Sequence, residues 1–183
     1  MGIFDNVVYG FHAAFQFDNL LFCAIGVLVG TLIGVLLGIG PVGAIALLSD
    51  VLRKELKLTG TKRGCLESTC GVCMVILDRK AVRSCSILAL QANGQEVTTI
   101  EGLVQDGKLH PIQEAFVNHG AIECGFCIPG RVMMAKALLD ENSNPSREEI
   151  RLVMQGVLCA DAGYVKQIEA VEIAAEKMRD EGR

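Results

Sequence analysis

Residues 64–85 read GCLESTCGVCMVILDRKAVRSC, and the fold turns on this stretch. Cys65, Cys70 and Cys73 stand close together, and Cys85 follows after eleven residues. Val72 to Leu77 and Ala81 to Cys85 read as two strands around a turn at Asp78–Lys80. A loop of three cysteines therefore runs into a hairpin whose second strand carries a fourth.

C-x4-C-x2-C with a later fourth cysteine is the plant-type spacing for a [2Fe-2S] cluster. Three thiolates on one loop wrap the cluster, and the fourth closes it from a neighbouring strand. Soft anionic sulfur suits iron–sulfur units better than oxygen or nitrogen does. A second group follows, Cys124-x2-Cys127 and then Cys159. Two other readings stay open on spacing alone. Cys70-Gly-Val-Cys73 and Cys124-Gly-Phe-Cys127 are also what two halves of a zinc site look like, although Cys65 and Cys85 then have no role. Either CxxC also matches a thioredoxin-like dithiol, but neither opens a helix after a strand in a βαβ unit.

Downstream, Val97 to Ile100 is a short β-branched strand. The periodicity then becomes helical. Pro111 suits a first helical position, Ile112, Ala115 and Phe116 form an inner face, and Gly120 suits the end. A second helix follows Pro129. Ser146 and Glu149 form a capping-box pair ahead of Ile150, Val153 and Met154. Tyr164, Ile168, Val171, Ala175 and Met178 trace a last amphipathic helix. Strands precede helices, so the class is α+β.

Upstream, Ala46 to Lys57 reads as an amphipathic helix. Before it the character of the chain changes. The 183 residues hold 17 Lys+Arg against 21 Asp+Glu, net −4, so no basic field exists to hold nucleic acid. With 51% hydrophobic residues, disorder is excluded as well. Asn19 to Ser49 carries no formal charge over 31 residues, long enough to span a bilayer. Gly26, Gly30, Gly34 and Gly38 recur on one helix face, which lets a neighbouring helix approach closely in lipid; a buried Gly-rich soluble helix is the alternative. Arg53, Lys54, Lys57, Lys62 and Arg63 follow the run and no basic residue precedes it, placing its C-terminal side in the cytoplasm. Structural disulfides are disfavoured there. Cys23, inside the run, is a small packing residue.

Two resemblances extend this reading. Residues 1–48, ending in a Gly38, Gly40, Pro41 turn, resemble the opening of tripartite tricarboxylate transporter permeases. Such a permease needs many more membrane helices than this chain supplies. From about Leu47 to Ala175, LTGTKRGC, TTIEGL, LHPIQEAF, ECGFCIPG, AKALLDEN, REEIR and the LC…GY ending closely resemble the [2Fe-2S] small subunit of molybdenum hydroxylases of the xanthine dehydrogenase and carbon monoxide dehydrogenase type. This resemblance implies a plant-ferredoxin-like β-grasp domain followed by a four-helix domain, each with a [2Fe-2S] cluster. Cys65, Cys70, Cys73 and Cys85 would ligate the first, and Cys124, Cys127 and Cys159 the second. The helix N-terminus near Cys127 would favour the anionic cluster. The partners implied are a molybdopterin-binding large subunit and an FAD-binding subunit, between which electrons pass. No substrate chemistry is expected in the chain itself.

The departures from the family pattern carry expectations of their own. Asp161 stands where the family has its eighth cysteine, leaving an oxygen-ligated cluster, a labile one, or none. Leu66 and Ser68 replace glycines in the first cysteine loop, where a backbone wrapped round sulfur often needs positive φ. Arg79 replaces a turn glycine, and Glu123 a glutamine that approaches the pterin. Val157 and Ala162 replace polar neighbours of the second cluster. The family's N-terminal hairpin is missing, which would deprive Val97–Ile100 of a backbone partner. The expected organisation is an apolar membrane-type segment over 1–48, a ferredoxin-like [2Fe-2S] domain over 49–102, and a helical [2Fe-2S]-binding domain over 103–183. The expected role is an electron-transfer subunit on the cytoplasmic side, anchored in the inner membrane through residues 19–49. The competing reading is a membrane or interaction protein, or a fusion, whose ferredoxin-like part is vestigial and holds one cluster or none.

Overall fold

The computed structural model describes residues 15–36 and 46–181. The chain divides into two units, 1–45 and 46–183. In the first, helix α1 spans Phe17–Leu36. Its charge-free part, Asn19 onward, rises roughly 27 Å at 1.5 Å per residue, against about 30 Å of bilayer hydrocarbon. Among the described residues no helix is long and apolar enough to cross a membrane. The transmembrane helix expected over 19–49 is therefore not found there, and its residues 37–45 lie outside the described part. Residues 1–14, which carry much of the permease resemblance, lie outside it too.

The second unit opens where a long helix was expected. Leu48–Asp50 forms a short α2, continued as a π-helical turn over Val51–Glu55 and stopped by Lys57 at φ 59°. Leu48 and Leu52 point inward and are buried. From this turn Arg53 donates to the Thr59 and Thr61 carbonyls, both at 2.7 Å, and so fixes the approach to the cysteine loop.

Strands β1 (Met74–Leu77), β2 (Lys80–Arg83) and β3 (Val97–Thr98) form an antiparallel sheet in the order β2-β1-β3. The β1–β2 turn is two residues long, Leu77 facing Lys80. Asp78 and Arg79 both take positive φ, 44° and 70°, which is the primed hairpin turn that matches strand twist. Arg79 thus occupies the conformation expected of a glycine. All of β1 is buried because it has cover on both faces. Period-two alternation sends Val75 toward Leu48 and Leu52, and Met74 and Ile76 toward the helical core. β3 keeps a backbone partner after all, since Val97 pairs with Leu77 and Thr98 with Ile76. Val97 also packs on the Leu48–Leu52–Val75 cluster.

Four helices follow: α3 Pro111–Asn118, α4 Ile128–Glu141, α5 Arg147–Met154 and α6 Tyr164–Glu181. Pro111 starts α3, and His110 caps it by accepting from the Ile112 N–H at 3.3 Å. At α5 the box forms as the sequence implies, the Glu149 carboxylate accepting from the Ser146 N–H at 2.7 Å. Ile112, Phe116, Val132, Met133, Ile150, Met154 and Val171 are fully buried between these helices. α4 also lies against β1, so the sheet and the helices share one core.

Candidate metal centres

The first cysteine loop is built by its own backbone. The Cys65 sulfur accepts from the N–H groups of Thr69 and Cys70, each at 3.3 Å, and of Glu67 at 3.5 Å. In return the Cys65 N–H points at the Cys70 sulfur at 3.4 Å. Such a tight wrap needs left-handed residues. Leu66 and Ser68 provide them at φ 61° and 65°, where side chains cost about 1 kcal/mol each. The Thr69 hydroxyl and these N–H groups pull the Cys65 thiol down to about 6, so at neutral pH it is a thiolate.

Cys73 and Cys85 form the other pair. Both are buried. Cys85 lies on a 3-10 turn, Ser84–Ser86, just past β2, and not on the strand as expected. Ser84 locks that turn to the loop by donating its hydroxyl to the Cys73 carbonyl at 2.7 Å. Burial, with the Cys85 thiol alongside, raises Cys73 to about 11. Four thiols in two pairs, one preset as thiolate, fit a binuclear iron–sulfur unit. The zinc reading pairs Cys73 with Cys124 and Cys127; the structure instead turns Cys73 toward Cys85.

The second group is assembled from distant segments. Cys127 caps the start of α4, where the helix dipole favours negative charge. Burial, the neighbouring Cys159 and its charge push it up to about 11, with Arg131 acting in the opposite direction. At Cys159 burial raises the thiol, but N–H groups of Gly163 and Asp161, the Cys127 thiol and the Gln167 amide outweigh it and lower the balance. Asp161 closes the group. Its carboxylate accepts from the Cys124 thiol and, at 3.1 Å, from the Cys124 N–H, which holds it below the usual carboxylate range and pushes Cys124 up. Glu123, Cys159 and Asp161 bring donor atoms within 4.8 Å of one another, alone among the described residues in doing so. The donor set therefore has three thiols and a carboxylate in place of a fourth, with Glu123 as a second carboxylate. It fits an iron–sulfur unit with one oxygen ligand.

Three residues of this group were missed on sequence. Tyr164 accepts from the Cys159 N–H at 3.0 Å and donates to its carbonyl at 3.2 Å. Gln167, on the inner face of α6, aims its amide at the Cys159 and Cys127 sulfurs, 3.8 and 4.0 Å away. Arg131 is a charge on an otherwise apolar helix face, the signal that marks it in retrospect.

The two groups meet directly. The Leu158 N–H donates to the Cys70 carbonyl at 2.9 Å, joining the residue beside Cys159 to a residue of the first loop. Gly71, at φ 73°, lets the loop reach this junction, for a β-carbon there would stand 2.0 Å from the Gly156 carbonyl oxygen. A cleft of about 430 Å³ is lined by Cys65 and Cys70 on one side and Cys124, Cys127 and Cys159 on the other.

Comparison with known proteins agrees with this geometry. Residues 99–172 match the [2Fe-2S] binding domain family. Over 137 residues the chain is 50% identical to an aldehyde oxidoreductase of Megalodesulfovibrio gigas, covering 73% of this chain and 15% of that protein's length. It is 45% identical over 130 residues to the nicotinate dehydrogenase small FeS subunit of Eubacterium barkeri, covering 71% of this chain and 83% of the relative. The crystal structure of quinoline 2-oxidoreductase from Pseudomonas putida 86 superposes with a TM-score of 0.72 at 43% identity, covering 75% of this chain and 86% of that one. None of these matches bears on the permease resemblance of residues 1–48. With the cysteine loop, the hairpin and the four helices in place, the chain belongs to the family of small iron–sulfur subunits of molybdenum hydroxylases.

Proposed function

We propose that the chain relays single electrons between a molybdopterin-binding subunit and an FAD-binding subunit through two [2Fe-2S] clusters. Cys65, Cys70, Cys73 and Cys85 would hold the first cluster; Cys124, Cys127, Cys159 and Asp161 the second. The clusters supply one-electron acceptance and release when bound. The chain's own residues supply the thiolates, the N–H groups that favour them, and the backbone junction between the sites. The observation that carries the reading is the hydrogen bond from the Leu158 N–H to the Cys70 carbonyl. It brings the two cysteine groups into covalent and hydrogen-bonded continuity, as a relay requires.

The chain reconstituted anaerobically with iron and sulfide should bind about four irons and, once reduced, show two distinct EPR signals. About two irons with one signal would remove the second cluster, and colourless or zinc-loaded protein would overturn the reading. The exposed apolar side chains of α1, among them Phe17, Phe22 and Leu28, support membrane attachment through that helix, whereas Leu48 and Ser49 at the end of the charge-free run are buried in the second unit. The basic residues after it support a cytoplasmic position for the cysteines. Retention in the membrane pellet after carbonate is expected; release overturns the tether.

A further inference from the structure

Arg131 is fully buried on the first turn of α4. Its Nη2 donates to the Val157 carbonyl at 2.6 Å, whereas Nε and Nη1 have no hydrogen-bond partner. The Tyr164 ring covers the guanidinium at 4.5 Å. Among the described residues no carboxylate pairs with it, for the ion pairs of the chain all lie elsewhere. A guanidinium does not shed its proton in proteins, and an unanswered buried charge is among the costliest groups a fold can carry. It stands one helical turn from Cys127, close enough for its charge to favour the Cys127 thiolate. The buried Gln167 aims its amide at the sulfurs of Cys127 and Cys159. Three thiolates and a carboxylate around two ferric irons and two sulfides would carry net negative charge, and a further electron would add to it.

We infer that Arg131 is the buried counter-charge of the second iron–sulfur centre, favouring its reduced form. The inference rests on the ligand assignment proposed above. A cation one turn from Cys127, itself shut off from solvent, answers the charge that reduction adds. Oxygen ligation by Asp161 works in the opposite direction, because a hard donor favours ferric iron. Arg131 thus offsets the carboxylate.

The test is an EPR-monitored redox titration of the reconstituted full chain, with Arg131→Met and Arg131→Lys beside the unchanged protein. At a fixed potential, Arg131→Met should lower the reduced-to-oxidised ratio of the second centre about tenfold, about 59 mV for one electron. Arg131→Lys should recover most of that, and the first centre should not move. A second centre unmoved in Arg131→Met, or both centres displaced alike, overturns the inference. Where Arg131→Met assembles no second centre, the unchanged protein grown on arginine labelled with 15N in the guanidinium decides. Nitrogen coupling on the second centre's reduced signal supports the inference, and its absence overturns it. Should the unchanged chain assemble only the first centre, the ligand assignment falls and this inference with it. An assembled second centre indifferent to Arg131 overturns the inference alone.

Discussion

The two cysteine groups solve one problem with different materials. In the first, thiolate at Cys65 is favoured by the Thr69 hydroxyl and by main-chain N–H groups, all within the nine-residue loop Cys65 to Cys73, and the resulting charge sits half-exposed. In the second, burial works against thiolate at Cys127, and the answer comes from side chains, Arg131 one turn along α4 and Gln167 on α6, while the Asp161 carboxylate pushes Cys124 the other way. A device confined to one loop tolerates substitution wherever the new residue can take the required φ. A side-chain device tunes more finely but fails when one member changes. That contrast fits where the chain departs from its family. Leu66 and Ser68 keep the loop's geometry, whereas Asp161 changes the donor chemistry.

The most severe way to break the contrast is Gly71→Ala, which strikes where the groups touch. Positive φ and a β-carbon 2.0 Å from the Gly156 oxygen should together cost about 3 kcal/mol or more in urea unfolding of the apo chain. Gly94→Ala shares the positive φ but meets nothing within 4 Å, so it isolates the backbone cost at about 1 kcal/mol. Equal losses in the two variants would show that the junction tolerates separation.

A smaller effect sharpens the contrast through pH. In the apo chain, alkylation of Cys65 should follow its thiolate, falling to half as pH drops through about 6. Cys127, raised to about 11, should still be gaining reactivity at the alkaline end. Near neutral pH the ratio of rates should be on the order of a hundredfold, since greater nucleophilicity of the more basic thiol offsets part of the difference in ionisation. Peptide mapping after brief iodoacetamide treatment reads both sites, and similar rates would refute the difference in environment. The smallest effect is Leu66→Gly or Ser68→Gly, each relieving a left-handed side chain. Gly also loosens the unfolded chain, so a gain of about 0.5–1 kcal/mol is expected in the same unfolding experiment.

Much of this was legible in the sequence, beginning with residues 64–85 and continuing through the helical stretch beyond Pro111. The hairpin, the four helices, the Ser146 cap and the left-handed need at residues 66 and 68 are local events, and local chemistry announces them. The π-helical turn after Asp50 was not legible, because its apolar spacing is also that of an ordinary helix. Cys85 was assigned to a strand because the turn carrying it is set by Ser84 gripping the Cys73 carbonyl, a contact across the hairpin. Arg131 and Gln167 escaped for a further reason. On a helix Gln167 reads as a solvated polar residue, and only packing against Cys127 and Cys159 reveals otherwise, while the break that Arg131 makes in an apolar face does not say what it faces.

The Gly71–Gly156 contact also bears on how this protein can be engineered. A carbonyl seated where no β-carbon can fit is an interlock, and an interlock joins its two sides without lending itself to either. Grafting the cysteine hairpin onto a foreign scaffold, or making a chimera with the helices of a relative, would have to carry Gly71, the Gly156 carbonyl and the Leu158 amide across together. The natural unit of exchange in this chain is therefore the seam, with the pieces on both sides of it.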